Sequence, residues 1–153
     1  MKKLMSLTLL LYTVVVWGAE RQVFRDASGK ITGVAEYSGG RGVYRDSSGR
    51  IVSTSETNRN RTIFRDNSGR ICGSSTVSQG RAIYRDASGR MTGTAVTNGK
   101  NKVFRDASGR VCGTAQRNGS NKMVYRDSSG RITATVSGRE IKPPIPLPLN
   151  KKK

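Results

Sequence analysis

The chain has 153 residues, of which only 34% are hydrophobic, and it carries 28 Lys and Arg against 10 Asp and Glu, with no His. So small an apolar fraction excludes a large conventional globular core. The formal net charge of +18 makes anionic molecules the expected partners.

The N-terminus has the pattern of a secretory signal peptide. Two lysines precede an apolar run of 14 residues that ends at Trp17, and the small residues Gly18 and Ala19 follow. The run is shorter than the roughly 20 residues that a membrane-spanning helix needs. We therefore expect residues 1–18 to be removed and the mature chain to be secreted or periplasmic.

Residues 19–140 form one domain of six tandem units of about 20 residues, and only the sixth unit has an insertion, at Met123. Each unit contains a β-branched and aromatic pair, a D-x-S-G segment, a second β-prone run and a second polar turn. This order predicts strand, turn, strand, turn, and hence an all-β domain. The units begin at Arg21, Arg41, Arg61, Arg81, Asn101 and Asn121.

The D-x-S-G segments predict type I turns. An Asp at the first position can bond the backbone that follows it, and a Gly at the fourth tolerates positive φ. We therefore assign a structural role in the turns to Asp26, Gly29, Asp46, Gly49, Asp66, Gly69, Asp86, Gly89, Asp106, Gly109, Asp127 and Gly130.

Two architectures fit this repeat. The favoured one is a two-sheet β-solenoid with one unit per rung, because it buries one face in a sequence with so few apolar residues. In it, glycines such as Gly33 make room for an aromatic row (Phe24, Tyr44, Phe64, Tyr84, Phe104 and Tyr125), which packs inside beside an aliphatic row (Ile31, Ile51, Ile71, Met91, Val111 and Ile132).

The alternative is an antiparallel meander of β-hairpins. Its three-residue loops would place Arg25 on the same face as Ile31. A single open sheet would also leave one face in water unless it rolled up.

The units resemble the tandem FRDxSGRxTGTA repeats of uncharacterised secreted bacterial and phage-associated proteins, over residues 21–138. The spacing of aromatic, Asp, Gly and Arg is distantly similar to the tyrosine-aspartate repeats of Rhs-type toxin shells. In architecture alone, the chain also resembles curli-type subunits. Separately, the unpaired strand edges at the ends of a solenoid predict self-association.

The sequence argues against catalysis. It lacks His, and its acidic residues are mainly one Asp per unit beside Arg, so no nucleophile and base pair is evident. A lone carboxylate among cations is also a poor metal ligand set. We expect no enzymatic activity, no metal and no cofactor.

Regularly spaced arginines carry the best functional signal. They predict adhesion to anionic polymers such as lipopolysaccharide, extracellular DNA or acidic polysaccharide, or to an anionic cell surface, without sequence-specific recognition of nucleic acid. The alternative is a cationic, toxin-like or inhibitory factor that acts on membranes or on a protein target. The candidate binding residues are Arg25, Arg45, Arg65, Arg85, Arg105, Arg126, Arg50, Arg70, Arg90, Arg110 and Arg131.

Two features remain. Residues 141–153 form a Pro-rich basic tail, which cannot join a sheet. Cys72 and Cys112 occupy the same position two units apart, about 9.6 Å in a solenoid and about 19 Å in a meander. Both separations exceed the roughly 7 Å that a disulfide allows between Cα atoms, so we expect free thiols.

Overall fold

Each repeat contributes two strands joined by its D-x-S-G turn. The computed structural model describes residues 20–138, and neither the predicted signal peptide nor the basic tail falls within that range. The twelve strands are β1 (Glu20–Asp26), β2 (Ile31–Ser38), β3 (Arg41–Asp46), β4 (Ile51–Asn58), β5 (Arg61–Asp66), β6 (Ile71–Ser78), β7 (Arg81–Asp86), β8 (Met91–Asn98), β9 (Asn101–Asp106), β10 (Val111–Asn118), β11 (Lys122–Asp127) and β12 (Ile132–Ser137). Between Glu20 and Gly138 there is no helix long and apolar enough to cross a membrane.

The strands form one closed antiparallel barrel. Each strand pairs with its neighbours in the chain, and β12 pairs with β1. In the closing contact, Ala134 pairs with Asp26. Between the first two units, Gly33 pairs with Asp46, and these two residues are the counterparts of Ala134 and Asp26, so the register is the same. Because the closing contact repeats the internal register, equivalent residues of the six units lie at the same height on a ring. Twelve tilted strands make a barrel roughly 23 Å across.

The all-β prediction is confirmed, but the solenoid is wrong. The strand order is that of the antiparallel hairpin meander, with the two ends of the meander joined. The solenoid was favoured because it buries one face, and closing the sheet into a barrel does the same. Closure also pairs both edges of the sheet, β1 and β12, which the solenoid would have left open.

The aromatic row faces the interior, as the alternation along the strands predicts. Tyr44, Phe64 and Tyr84 are only 6–7% exposed. Ala35 is the cross-strand partner of Tyr44, and Ala95 joins Tyr84 in one core cluster. This interior burial is what holds a domain with so few apolar residues together.

The predicted burial of the aliphatic row is wrong, since its six members are 39–47% exposed. A register shift between Phe24 and Arg25 makes Ile31 the partner of Arg25 on the outer face, while Gly33 pairs with Phe24. One extra residue in a strand is a β-bulge, and it reverses the faces of the residues beyond it. The same irregularity recurs in every unit.

The predicted purpose of the strand glycines also needs correction. A Cβ on Gly33 would lie 2.5 Å from the carbonyl oxygen of Arg45, and one on Gly93 would lie 2.5 Å from that of Arg105. These glycines therefore admit the backbone of the next strand and not the aromatic rings.

Candidate anion-binding surface

The D-x-S-G turns build one rim of the barrel, and the fourth unit shows their geometry. The Gly89 N–H donates to the Asp86 carbonyl at 3.1 Å, and Gly89 has a φ of 84°. The Asp86 Oδ1 accepts from the N–H of Ser88 at 2.9 Å, its hydroxyl at 2.7 Å and the N–H of Arg90 at 3.0 Å. The same bonds recur in the other units, so the predicted Asp and Gly positions do form the turns.

These bonds keep the turn carboxylates ionised. The Ser88 hydroxyl makes the largest contribution to holding the pKa of Asp86 below its ordinary value of 3.8, and the two N–H groups and the charge of Arg90 act in the same direction. Each of the other five turn aspartates has its pKa lowered by the corresponding serine. The carboxylates are therefore engaged in holding the turns.

A first row of cations is fixed against these turns. The Arg85 Nη1 donates to the Gly89 carbonyl at 2.9 Å. This bond uses one of the five N–H donors of the guanidinium. All six units repeat this bond, at 2.9–3.1 Å. The first row consists of Arg25, Arg45, Arg65, Arg85, Arg105 and Arg126.

A second row of cations follows the turn glycines, and all of its side chains are exposed. It contains the other five predicted arginines. Lys30 occupies the same position in the first unit and was not among the predicted binding residues. The second row is Lys30, Arg50, Arg70, Arg90, Arg110 and Arg131. The structure thus places all eleven predicted arginines on one rim, where twelve cations face six carboxylates for a net charge of +6. Neighbouring units lie about 12 Å apart around it.

An exposed aliphatic side chain lies beside every cation of the first row. Met91 is the cross-strand partner of Arg85, and Ile51 is the partner of Arg45. The favoured solenoid placed these side chains in the core, whereas the hairpin alternative placed Arg25 and Ile31 on one face, as the strand register shows. We call the two cationic rows and this aliphatic ring together the turn rim.

The opposite rim is less regular. Arg21 pairs with Glu36 and Arg41 pairs with Glu56, so acidic side chains stand beside its arginines in the first units. Its turns also vary from unit to unit, and Arg59 adopts a φ of 53° where the first unit has Gly39. The repeated charge pattern is therefore a property of the turn rim.

Three further reactive or charged side chains lie off the cationic rows. Lys102 is 3% exposed and faces the interior. It lies two residues before the inward-facing Phe104 on the same strand, and sequence analysis did not use this alternation to place it. Cys72 and Cys112 carry free thiols, and partial burial raises the pKa of both. Residues 20–138 contain no group of three or more acidic or Cys side chains that could hold a metal ion.

Comparison with known proteins gives the fold alone. No family model matches the chain, and no curated protein matches it. A solved X-ray structure of a protein from Arabidopsis thaliana is similar, with a TM-score of 0.54 and 9% sequence identity over 81% of this chain and 82% of that one.

Proposed function

We propose that this chain is a secreted, non-enzymatic binding protein that adheres to anionic polymers through the turn rim, without sequence preference. The observation that carries the proposal is the pair of cationic rows on one rim, with a net charge of +6. The acidic groups of that rim are engaged by the turns, so an external anion is the available counter-charge for the excess of cations.

The arrangement suits a polymer better than a small anion. Adjacent units are about 12 Å apart, slightly beyond the Debye length of about 8 Å at physiological salt, so one small anion neutralises little of the ring. A flexible polyanion can contact several units at once and release its counterions, which makes binding strongly salt-dependent. Fixed sequence readout is not expected, because no helix or stacking platform is present among the described residues.

Chromatography on immobilised heparin and on double-stranded DNA tests the proposal. The wild-type chain should be retained at about 50 mM salt and should elute as salt rises. A triple variant of the turn rim, Arg50→Gln, Arg70→Gln and Arg90→Gln, should elute at clearly lower salt than a matched triple of the opposite rim, Arg41→Gln, Arg61→Gln and Arg81→Gln. All six side chains are exposed.

The outcomes separate the parts of the proposal. Failure of the wild-type chain to bind either column rejects anionic-polymer adhesion. Equal loss in the two triple variants rejects the turn rim as its location, because both variants lose three charges.

A further inference from the structure

The aliphatic ring gives the turn rim a property that adhesion to a hydrophilic polymer does not require. Six apolar side chains, each 39–47% exposed, surround one end of the barrel: Ile31, Ile51, Ile71, Met91, Val111 and Ile132. Val52 adds a further exposed side chain beside Ile51, at 47%. Their recurrence in every unit at one end of the barrel differs from the singly scattered apolar residues that are normal on soluble proteins.

Each apolar side chain is paired with a cation. The register places Ile31 opposite Arg25 and Ile71 opposite Arg65, and the second-row cation directly precedes the aliphatic residue in the chain. The unit of the surface is therefore a guanidinium beside a methyl or methylene group. This chemistry matches a molecule with an anionic head and an apolar body.

The shape of the ring indicates how such molecules are presented. Equivalent residues lie at the same height because the closing pair of strands keeps the internal register. A plane perpendicular to the barrel axis can therefore meet all six units together. A bilayer surface is such a plane, whereas a single polymer chain would follow only an arc of the ring.

We propose that the turn rim docks on lipid bilayers that contain anionic phospholipids, with the barrel axis near the membrane normal. The cationic rows bind the phosphates, and the aliphatic ring enters the boundary between headgroups and acyl chains. This inference rests on the anion affinity proposed above and assigns it a lipid partner.

The test uses a reporter at each end of one strand. Met91 and Val96 both lie on β8 and are 39% and 42% exposed, at the turn rim and towards the opposite rim respectively. We would make Met91→Trp and Val96→Trp in the expected mature chain, residues 19–153, which does not include Trp17, the single tryptophan of the sequence. Vesicles of phosphatidylcholine with and without about one third phosphatidylglycerol are the probes, with brominated lipid as quencher.

Docking predicts binding to the phosphatidylglycerol vesicles alone, with blue-shifted and quenched fluorescence at position 91 and little change at position 96. The triple variant Ile51→Ser, Ile71→Ser and Met91→Ser should weaken vesicle binding by about tenfold or more, while its elution from heparin stays near that of wild type. Retention on heparin without vesicle binding overturns the lipid inference and leaves the proposed function intact. Equal quenching at both positions overturns the docking orientation, and failure on both heparin and vesicles rejects the proposed function itself.

Discussion

Asp26 and Ala134 are cross-strand partners, although they belong to the first and the sixth repeats. Their pairing joins β1 to β12 and leaves neither strand with an open edge. The expectation of self-association relied on open edges, so that basis is removed for residues 20–138. The remaining groups through which chains could associate are the exposed surfaces and the free thiols.

The thiols give the first prediction. Cys72 and Cys112 occupy equivalent bulges four strands apart, about 19 Å along the barrel wall, against a disulfide limit of roughly 7 Å between Cα atoms. Mild oxidation should therefore yield disulfide-linked dimers and larger species, and no internal bond. Mass spectrometry of the unreduced chain checks this, and a monomer with Cys72 joined to Cys112 would contradict the barrel.

The turn glycines give the second prediction. Gly89 has a φ of 84°, and a Cβ added to it would meet no atom within 4 Å, so Gly89→Ala introduces backbone strain without a clash. We expect a loss of about 1 kcal/mol in the free energy of unfolding. Urea denaturation measures it. The control is Ala87→Ser, since Ser occupies that turn position in Ser47 and Ser128, and it should change stability little. Equal values for the two variants would contradict the strained turn.

The third prediction concerns acid. The pKa of each turn aspartate is lower in the folded chain than its ordinary value of 3.8, so the turns favour folding above that value. As pH falls through the folded pKa, the carboxylates bind protons and this stabilisation is lost. Thermal melting between pH 6 and pH 2.5 should show a falling midpoint below about pH 4. A midpoint that stays constant or rises over that range would show that the aspartates do not hold the turns.

The fourth prediction tests the polar part of the core. The Tyr44 hydroxyl lies 2.7 Å from the Tyr37 hydroxyl and 3.2 Å from the Ser55 Oγ, in a site where Tyr44 is 6% exposed. Tyr44→Phe leaves those partners with lost bonds and should reduce the free energy of unfolding by about 1–2 kcal/mol. Tyr125→Phe is the control, because the Tyr125 ring stacks on Phe104 and the substitution keeps that contact. A loss in Tyr44→Phe no larger than the loss in Tyr125→Phe would contradict a stabilising role for the hydrogen bonds of the Tyr44 hydroxyl.

Local features of the repeat were predictable, because they depend on neighbouring residues. The turn chemistry of Asp86 and Gly89 and the inward position of Tyr84 follow from residues within a few positions of each other. The exposure of Met91 is consistent with the hairpin alternative, which placed the aliphatic row on the arginine face, and not with the favoured solenoid.

Closure of the sheet was harder to predict for another reason. An open meander and a closed barrel share every pairing between strands that are neighbours in the chain, so the local sequence is the same in both. The difference lies in the contact between the first and the last strands, through residues such as Phe24 and Val136. The cationic rows could be predicted from the repeat alone. The position of the aliphatic ring beside them depends on the register of the hairpins.

Closure of the barrel is tested most directly by a cross-link between β1 and β12. Val23 and Ser137 are cross-strand partners, and such partners have Cα atoms about 4.5–5.5 Å apart, within the range for a disulfide. In a chain with Cys72→Ser and Cys112→Ser, the pair Val23→Cys and Ser137→Cys should form an intramolecular disulfide on oxidation, detected by non-reducing peptide mapping. The control pair, Val23→Cys and Ser74→Cys, should stay reduced within the monomer. Quantitative internal bonding of the first pair alone is the predicted result, and failure of that pair to bond in a folded monomer would contradict the closed barrel.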